Sequence, residues 1–327
     1  MMRKITALLS RAASAFGRDR LLVLTFHRVL AQRDPLLPDV PDREQFDWQM
    51  RVLREWFTPL ALRTAISLMQ ENALPAGAVA VTFDDGYADN QQVAWPILSR
   101  FSVPATFFIS TGFLDGGRMF NDSVIEAVRL APGEQLSAPW LDLEPLPIAT
   151  LEQRRQAINL LIDRLKYQPP QRRQEWCVRL AELARADLPR DLMMTSAQVQ
   201  ALAAAGAEIG AHTCQHYILA EVDERVARDE INASKERLES LVGEQVKAFA
   251  YPNGRPGRDY RSEHVHMVRD AGFELAVSTA WGRADRHSDI LQIPRVAALG
   301  ASPVEFALRL AKSFGARASE AVAPQPG

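Results

Sequence analysis

The amino-acid sequence predicts an α/β fold of repeated βαβ units on a largely parallel sheet, and three observations lead to it. Seven short apolar runs have strand length, helical stretches separate most of them, and several runs end abruptly on ionisable residues. The runs span 21–26, 78–83, 105–110, 207–211, 247–251, 275–278 and 290–293. His27 follows the first, Asp84 and Asp85 the second, and His212 the fourth. In parallel barrels the loops after the strands converge on one mouth, so four ionisable groups at three strand ends predict a single site.

With 327 residues and 47% apolar content, the chain can bury a large core, and one domain with an insertion accounts for its length. The strand rhythm stops between Gly112 and Thr195, where Pro132, Pro139, Pro145 and Pro147 mark loops around helical stretches at 151–167 and 171–186. The expected organisation is therefore a domain over 21–315 with a helical insertion at 113–195, which forms either a wall or lid over the functional face or a structural pad. Residues 316–327 have no apolar periodicity and are expected to form a flexible tail.

The charges balance, with 38 Lys and Arg against 40 Asp and Glu for a net charge of −2. No basic block of the kind that grips phosphate backbones is present, so no nucleic-acid partner is expected. Cys177 and Cys214 form neither a disulfide framework nor a Cys-x-x-Cys site. No apolar run reaches the ~18 residues of a spanning helix. In residues 1–20, Arg11 interrupts the apolar stretch short of a signal-peptide core, so a cytoplasmic location is expected. On a helix, Ile5, Leu8, Leu9, Ala12 and Phe16 would lie opposite Lys4, Arg11 and Arg18. That pattern suits peripheral contact with the inner membrane face, and equally a helix packed on its own protein.

His212 and His216 are four residues apart, which on a helical turn would set both imidazoles on one face, close enough to share a metal ion. The run AVAVTFDDGYADN places two carboxylates directly after a buried strand. Asp-Asp-Gly is a common turn sequence, but paired carboxylates there are costly without a counter-charge. Adjacent residues at a strand end point in different directions, so one carboxylate can bind a cation while the other faces a water. Metal-assisted hydrolysis requires that division, with a Lewis acid lowering the pKa of the water and a carboxylate removing its proton.

Thr82-Phe83-Asp84-Asp85-Gly86 and His212-Thr213-Cys214-Gln215-His216 resemble the first two motifs of the polysaccharide deacetylases of carbohydrate esterase family 4. The resemblance runs in motif order from about Leu21 to Leu299. It implies a distorted (β/α) barrel of about seven strands, Asp84 as catalytic base, and Asp85, His212 and His216 as ligands of a divalent metal, zinc first among them. It also implies acetate release from an N-acetylated glycan. The wording LTFHRV and FAYPNG looks closest to the branch associated with exopolysaccharide biosynthesis.

The later motifs depart from the family pattern. Phe249 stands where the family usually has the arginine that steadies the catalytic Asp, and Leu291-Gln292-Ile293-Pro294-Arg295 lacks the histidine that usually serves as general acid. His27 is the expected substitute acid, and Arg295 the expected partner of Asp84. The loop Tyr251-Pro252-Asn253-Gly254 is expected to offer a backbone N–H to the oxyanion. Trp281, Asn121 and Asp122 are expected to contact the sugar, with Phe113 expected to pack in the core rather than join them. Two other functions share this frame: hydrolysis of an O-acetyl ester or non-sugar amide on the same metal, and glycan binding by a protein whose altered motifs have cost it activity.

Overall fold

The computed structural model describes residues 19–185, 187–318 and 321–322. Seven strands form the barrel: β1 (Leu21–Phe26), β2 (Ala78–Phe83), β3 (Ala105–Ile109), β4 (Glu208–Ala211), β5 (Ala248–Ala250), β6 (Leu275–Trp281) and β7 (Ile293–Ala297). Neighbouring strands are parallel, and β1 pairs with both β2 and β7, which closes the sheet. The β1–β2 register runs without a break from Leu21 opposite Ala78 to Phe26 opposite Phe83. A two-residue strand, Thr58–Pro59, adds to the start of β2 and is too short to leave a periodic signal.

Alternation along each strand separates two apolar sets. Leu22, Leu24, Val79, Val81, Phe83 and Phe107 pack outward against helices such as Arg43–Trp56, whose Phe46, Met50 and Leu53 are buried. Asp42 caps that helix by accepting from Gln45 N, which satisfies one of the N–H groups its first turn leaves free. The other set, Leu21, Val23, Ala78, Ala80, Phe108 and Val277, faces the interior and continues into helix Leu62–Gln70. In β4 a Cβ on Gly210 would lie 2.4 Å from the Phe108 ring, so only glycine lets that ring fill the interior there.

The insertion carries its own apolar cluster, in which Val124 and Val128 of helix Phe120–Leu130 meet Leu161 and Leu165 of Leu151–Lys166 and Leu180 of Pro170–Ala184. The latter two helices were expected. The first was not, because Asn121, Asp122 and Ser123 interrupt its apolar pattern.

Two expectations need correction. The last strand begins at Ile293 rather than at 290, because Asp289 accepts from Leu291 N and Gln292 Nε2 and holds Ile290 and Leu291 in a turn. The described part of 316–327 is not a free tail. Arg283 N donates to Ala316 O at 3.0 Å, Val322 N donates to Gln292 Oε1 at 2.9 Å, and Val322 packs on the core. The segment expected to touch a membrane lies outside the described residues except for Asp19 and Arg20. Among the described residues no helix is long and apolar enough to cross a membrane.

Candidate metal centre and active site

Asp84 and Asp85 leave the end of β2 in opposite directions. Asp84 keeps the parity of Ala78, Ala80 and Thr82 and points into the barrel, where both its oxygens accept from Arg295, at 2.7 Å each. Arg295 lies on β7 and reaches β2 past the intervening β1, a path open only through the interior. Its guanidinium also donates to Thr82 Oγ1 at 3.1 Å and to the Ser278 carbonyl at 3.0 Å. Arg295 is therefore no surface residue: it is 2% exposed and Asp84 3%. Burial by itself would push the Asp84 carboxyl up, but the Arg295 charge and hydrogen bonds, helped by His212 and His27, hold it below the usual range.

Asp85 turns the other way at φ 76°, and Gly86 continues the turn at φ 90°, a backbone region that favours glycine and carries strain for aspartate. Asp85 Oδ1 is buried without a donor. It lies 3.5 Å from His212 Nε2 and 3.4 Å from His216 Nε2. These separations match the edge, about 3.4 Å, of a tetrahedron with ~2.1 Å metal bonds. Among the described residues this is the one group of three or more His, Cys, Asp or Glu side chains able to hold a metal ion.

The two imidazoles do not meet on a helical turn, as their spacing suggested. The chain after β4 is a loop that passes through the left-handed region at Thr213 (φ 60°) and His216 (φ 51°). Glu230 on helix Glu224–Val242 holds this loop by accepting from Cys214 N at 2.9 Å and Gln215 N at 2.7 Å. That role left no trace in the sequence, since Glu230 is 14 residues beyond His216 on an otherwise ordinary charged helix.

His212 Nδ1 is 2.7 Å from the Ala250 carbonyl. A carbonyl only accepts, so Nδ1 carries a proton and Nε2 is the nitrogen turned toward Asp85, the orientation of a metal-ligating histidine. Burial pulls this imidazole down, but the Asp84 and Asp85 charges outweigh it and hold it above the usual range. Burial pulls the His216 imidazole down to about 3, which keeps it neutral and able to ligate. A Glu230→Ala substitution is expected to weaken metal affinity by about 10–100-fold, as loss of a supporting partner typically does. Competition with a chelating dye checks this, and an unchanged affinity would show that the loop holds itself.

The remaining expected site residues divide into those at the mouth and those held beneath it. His27 is exposed at the end of β1, not packed in the core, and its charge acts on both Asp84 and Asp85. Trp281 is 56% exposed at the end of β6, in register with Arg295. Asn253 adopts φ 58°, and among the described residues its backbone N–H has no partner.

Tyr251 is corrected to a core residue. Its ring stacks on Tyr260, its hydroxyl donates to the Leu291 carbonyl at 3.0 Å, and its N–H is taken by Val277 O. Asp122 is also corrected, since at 2% exposure it has no surface to offer a sugar. Asn121 turns its amide toward the Tyr87 hydroxyl at 3.3 Å. Phe113 packs with Tyr87, Met119 and Met193.

Asp122 belongs to a buried polar network that the sequence did not reveal. Arg28 lies 3.9 Å from Asp122, bonds Asp89 at 2.8 Å and stacks over Tyr87, while Asn90 donates to the His27 carbonyl at 2.8 Å. Burial pushes the Asp122 carboxyl up to about 7 despite Arg28. Unfolded, it would titrate near the ordinary value of about 3.9. Between about pH 4 and 7 the folded state therefore binds the extra proton, and this group's stabilising contribution fades as pH rises. The Asp122→Asn variant should lack that component, so the difference in melting temperature between the two proteins should shift in favour of the variant from pH 5 to pH 8. A pH-independent difference would show that Asp122 is not held protonated.

The comparisons with known proteins agree with this geometry. The family model described as polysaccharide deacetylase matches residues 71–135 and 174–276, just over half of the chain, and skips the middle of the insertion. The Bacillus subtilis protein YxkH, which bears the polysaccharide deacetylase name, is 20% identical over 279 residues, covering 85% of this chain and 71% of its own. Among solved structures, the Streptococcus pyogenes deacetylase PplD, in complex with acetate, superposes with a TM-score of 0.61 at 19% identity, over 91% of this chain and 99% of PplD. IcaB from Ammonifex degensii gives 0.58 at 20% identity, over 90% and 97%. At these identities the superpositions speak for the barrel, while the family model speaks for descent. The chain belongs to the polysaccharide deacetylase family, hydrolases that act on C–N amide bonds.

Proposed function

We propose that the protein removes N-acetyl groups from an N-acetylated oligo- or polysaccharide during polysaccharide biosynthesis, with zinc held by Asp85, His212 and His216. The observation that carries this reading is the divergence of two adjacent carboxylates, one locked to Arg295 and the other left bare beside two imidazoles. The metal, when bound, supplies Lewis acidity toward the water and the acetamide carbonyl.

The chain's own residues supply the rest. Asp84 is oriented by Arg295 and kept ionised, and each of its oxygens retains a second lone pair to accept the proton of the attacking water. The Asn253 N–H is the candidate donor to the developing oxyanion. His27, at the rim, protonates the leaving amine, and Trp281 gives the sugar a flat apolar face.

Purified, metal-loaded protein is to be assayed for acetate release from N-acetylglucosamine oligomers and from O-acetylated glycans. Release from the first supports the reading; release from the second alone would replace it with an esterase. His27→Ala should lower turnover by about 10²-fold or more with metal content unchanged. Near-wild-type turnover in that variant would remove His27 from the mechanism.

A further inference from the structure

A cavity of about 850 Å³ opens directly beside the metal centre, with His216 in its wall. Gln215 and Tyr217 flank it there, and the remaining walls come from the insertion, chiefly helices Phe120–Leu130 and Pro170–Ala184. Arg118, Arg173, Arg179 and Arg190 line it against a single carboxylate, Glu175. Among the described residues none of these four arginines has a carboxylate partner, whereas Arg28, Arg129 and Arg295 do.

Arg173 makes the imbalance costly. It is only 8% exposed, and the one hydrogen bond of its side chain among the described residues is a 3.4 Å contact from Nη1 to the Lys166 carbonyl. Its guanidinium lies 4.8 Å from the Phe120 ring and 5.9 Å from the ring of Tyr217, the neighbour of His216. Burial pulls Arg173 below the ordinary guanidinium range, with no carboxylate nearby to oppose the shift. A buried charge left uncompensated is strongly destabilising, and elsewhere proteins pair or neutralise it. Arg118 is fixed beside it by bonds to Ser123 Oγ at 3.0 Å and the Pro189 carbonyl at 2.8 Å.

We infer that this cavity is an anion subsite, which takes a carboxylate or phosphate group carried by the glycan on or next to the N-acetylated sugar. The inference rests on the deacetylase reading for the position of that sugar. Arginine's planar fork suits both a uronate carboxylate and a phosphate ester, and a neutral polymer would leave Arg173 uncompensated.

The test measures binding by calorimetry to metal-loaded Asp84→Asn protein, using N-acetylglucosamine, its 1-phosphate, and a disaccharide of N-acetylglucosamine with glucuronate. At least one charged probe should bind about tenfold tighter than the neutral sugar, with the advantage shrinking in ~0.5 M salt. Which charged probe is preferred assigns the anion as phosphate or uronate. The preference should largely disappear in Arg173→Gln. The exposed Arg190→Glu, combined with Arg118→Gln, carries the same test if Arg173→Gln does not fold.

Equal affinity for charged and neutral probes, or a preference that survives these substitutions, would overturn the subsite. Acetate release by protein with Asp84 intact separates the two readings. Acetate from neutral oligomers without anion preference sinks only the subsite, and anion preference without acetate from any probe sinks only the deacetylase reading.

Discussion

Replacing Arg295 with methionine is expected to destabilise the protein by about 3–5 kcal/mol, the range found when one member of a buried ion pair is removed and the other is left behind. The pair is bidentate and closed to solvent on both sides, at 1% and 4% side-chain exposure, so screening by water does not reduce that figure as it would at a surface. The pH dependence gives a second signature. In the wild type the Asp84 carboxyl is held low, so its contribution is present above the unfolded value near 3.9 and is lost as pH falls through the lower folded value. Without Arg295, burial acts with only His212 and His27 to oppose it, the folded value rises, and charging Asp84 becomes unfavourable as pH increases. The stability gap between the two proteins should therefore widen from pH 4 to 7. Urea unfolding across that range measures it, and a gap that is small and flat would mean that Asp84 does not depend on this pair.

Asp84→Asn is the second large effect. An amide has no basic oxygen to take a proton from water, so turnover should fall by about 10²–10⁴-fold, the span attributed to a positioned general base. Metal content should not change, because the proposed ligands are Asp85, His212 and His216. Asp85→Asn is the contrasting variant, expected to lose the metal along with the activity. If Asp84→Asn also emptied the site, the division of labour between the two carboxylates would be wrong, and both would be ligands.

The parts of the molecule legible in the sequence are those whose local chemistry and global environment agree. β1 and β2 are uninterrupted apolar runs buried on both faces, and their limits coincide with the observed strands. That Asp84 and Asp85 diverge was legible because strand parity survives to the end of β2, while the role expected of each came only from the family resemblance. Legibility failed where a long-range contact decides the local conformation. Ile290 and Leu291 look like strand residues, but the Asp289 side chain turns them. Pro294 lies inside β7 and cannot donate to its neighbour, and the register shifts between Ile293 and Arg295, where the proline stands. The His212–His216 spacing suggested a helix because nothing local reveals that Glu230 will hold the loop open. Asp122 looked like a mouth residue because its neighbours are polar, yet helix Phe120–Leu130 turns it inward toward Arg28.

The apolar cluster of the insertion, joined from outside it by Leu36, is distinct from the two that build the barrel. A lobe with a separate core can open and reclose as one cooperative unit at a free energy below that of global unfolding. Its amide protons should then exchange together and ahead of those in β1 and β2. Substitutions along its outer helices could thus retune the cavity wall while the cluster of Asp85, His212 and His216 stays intact, and within such a lineage substrate preference and catalytic chemistry would be free to change at different rates.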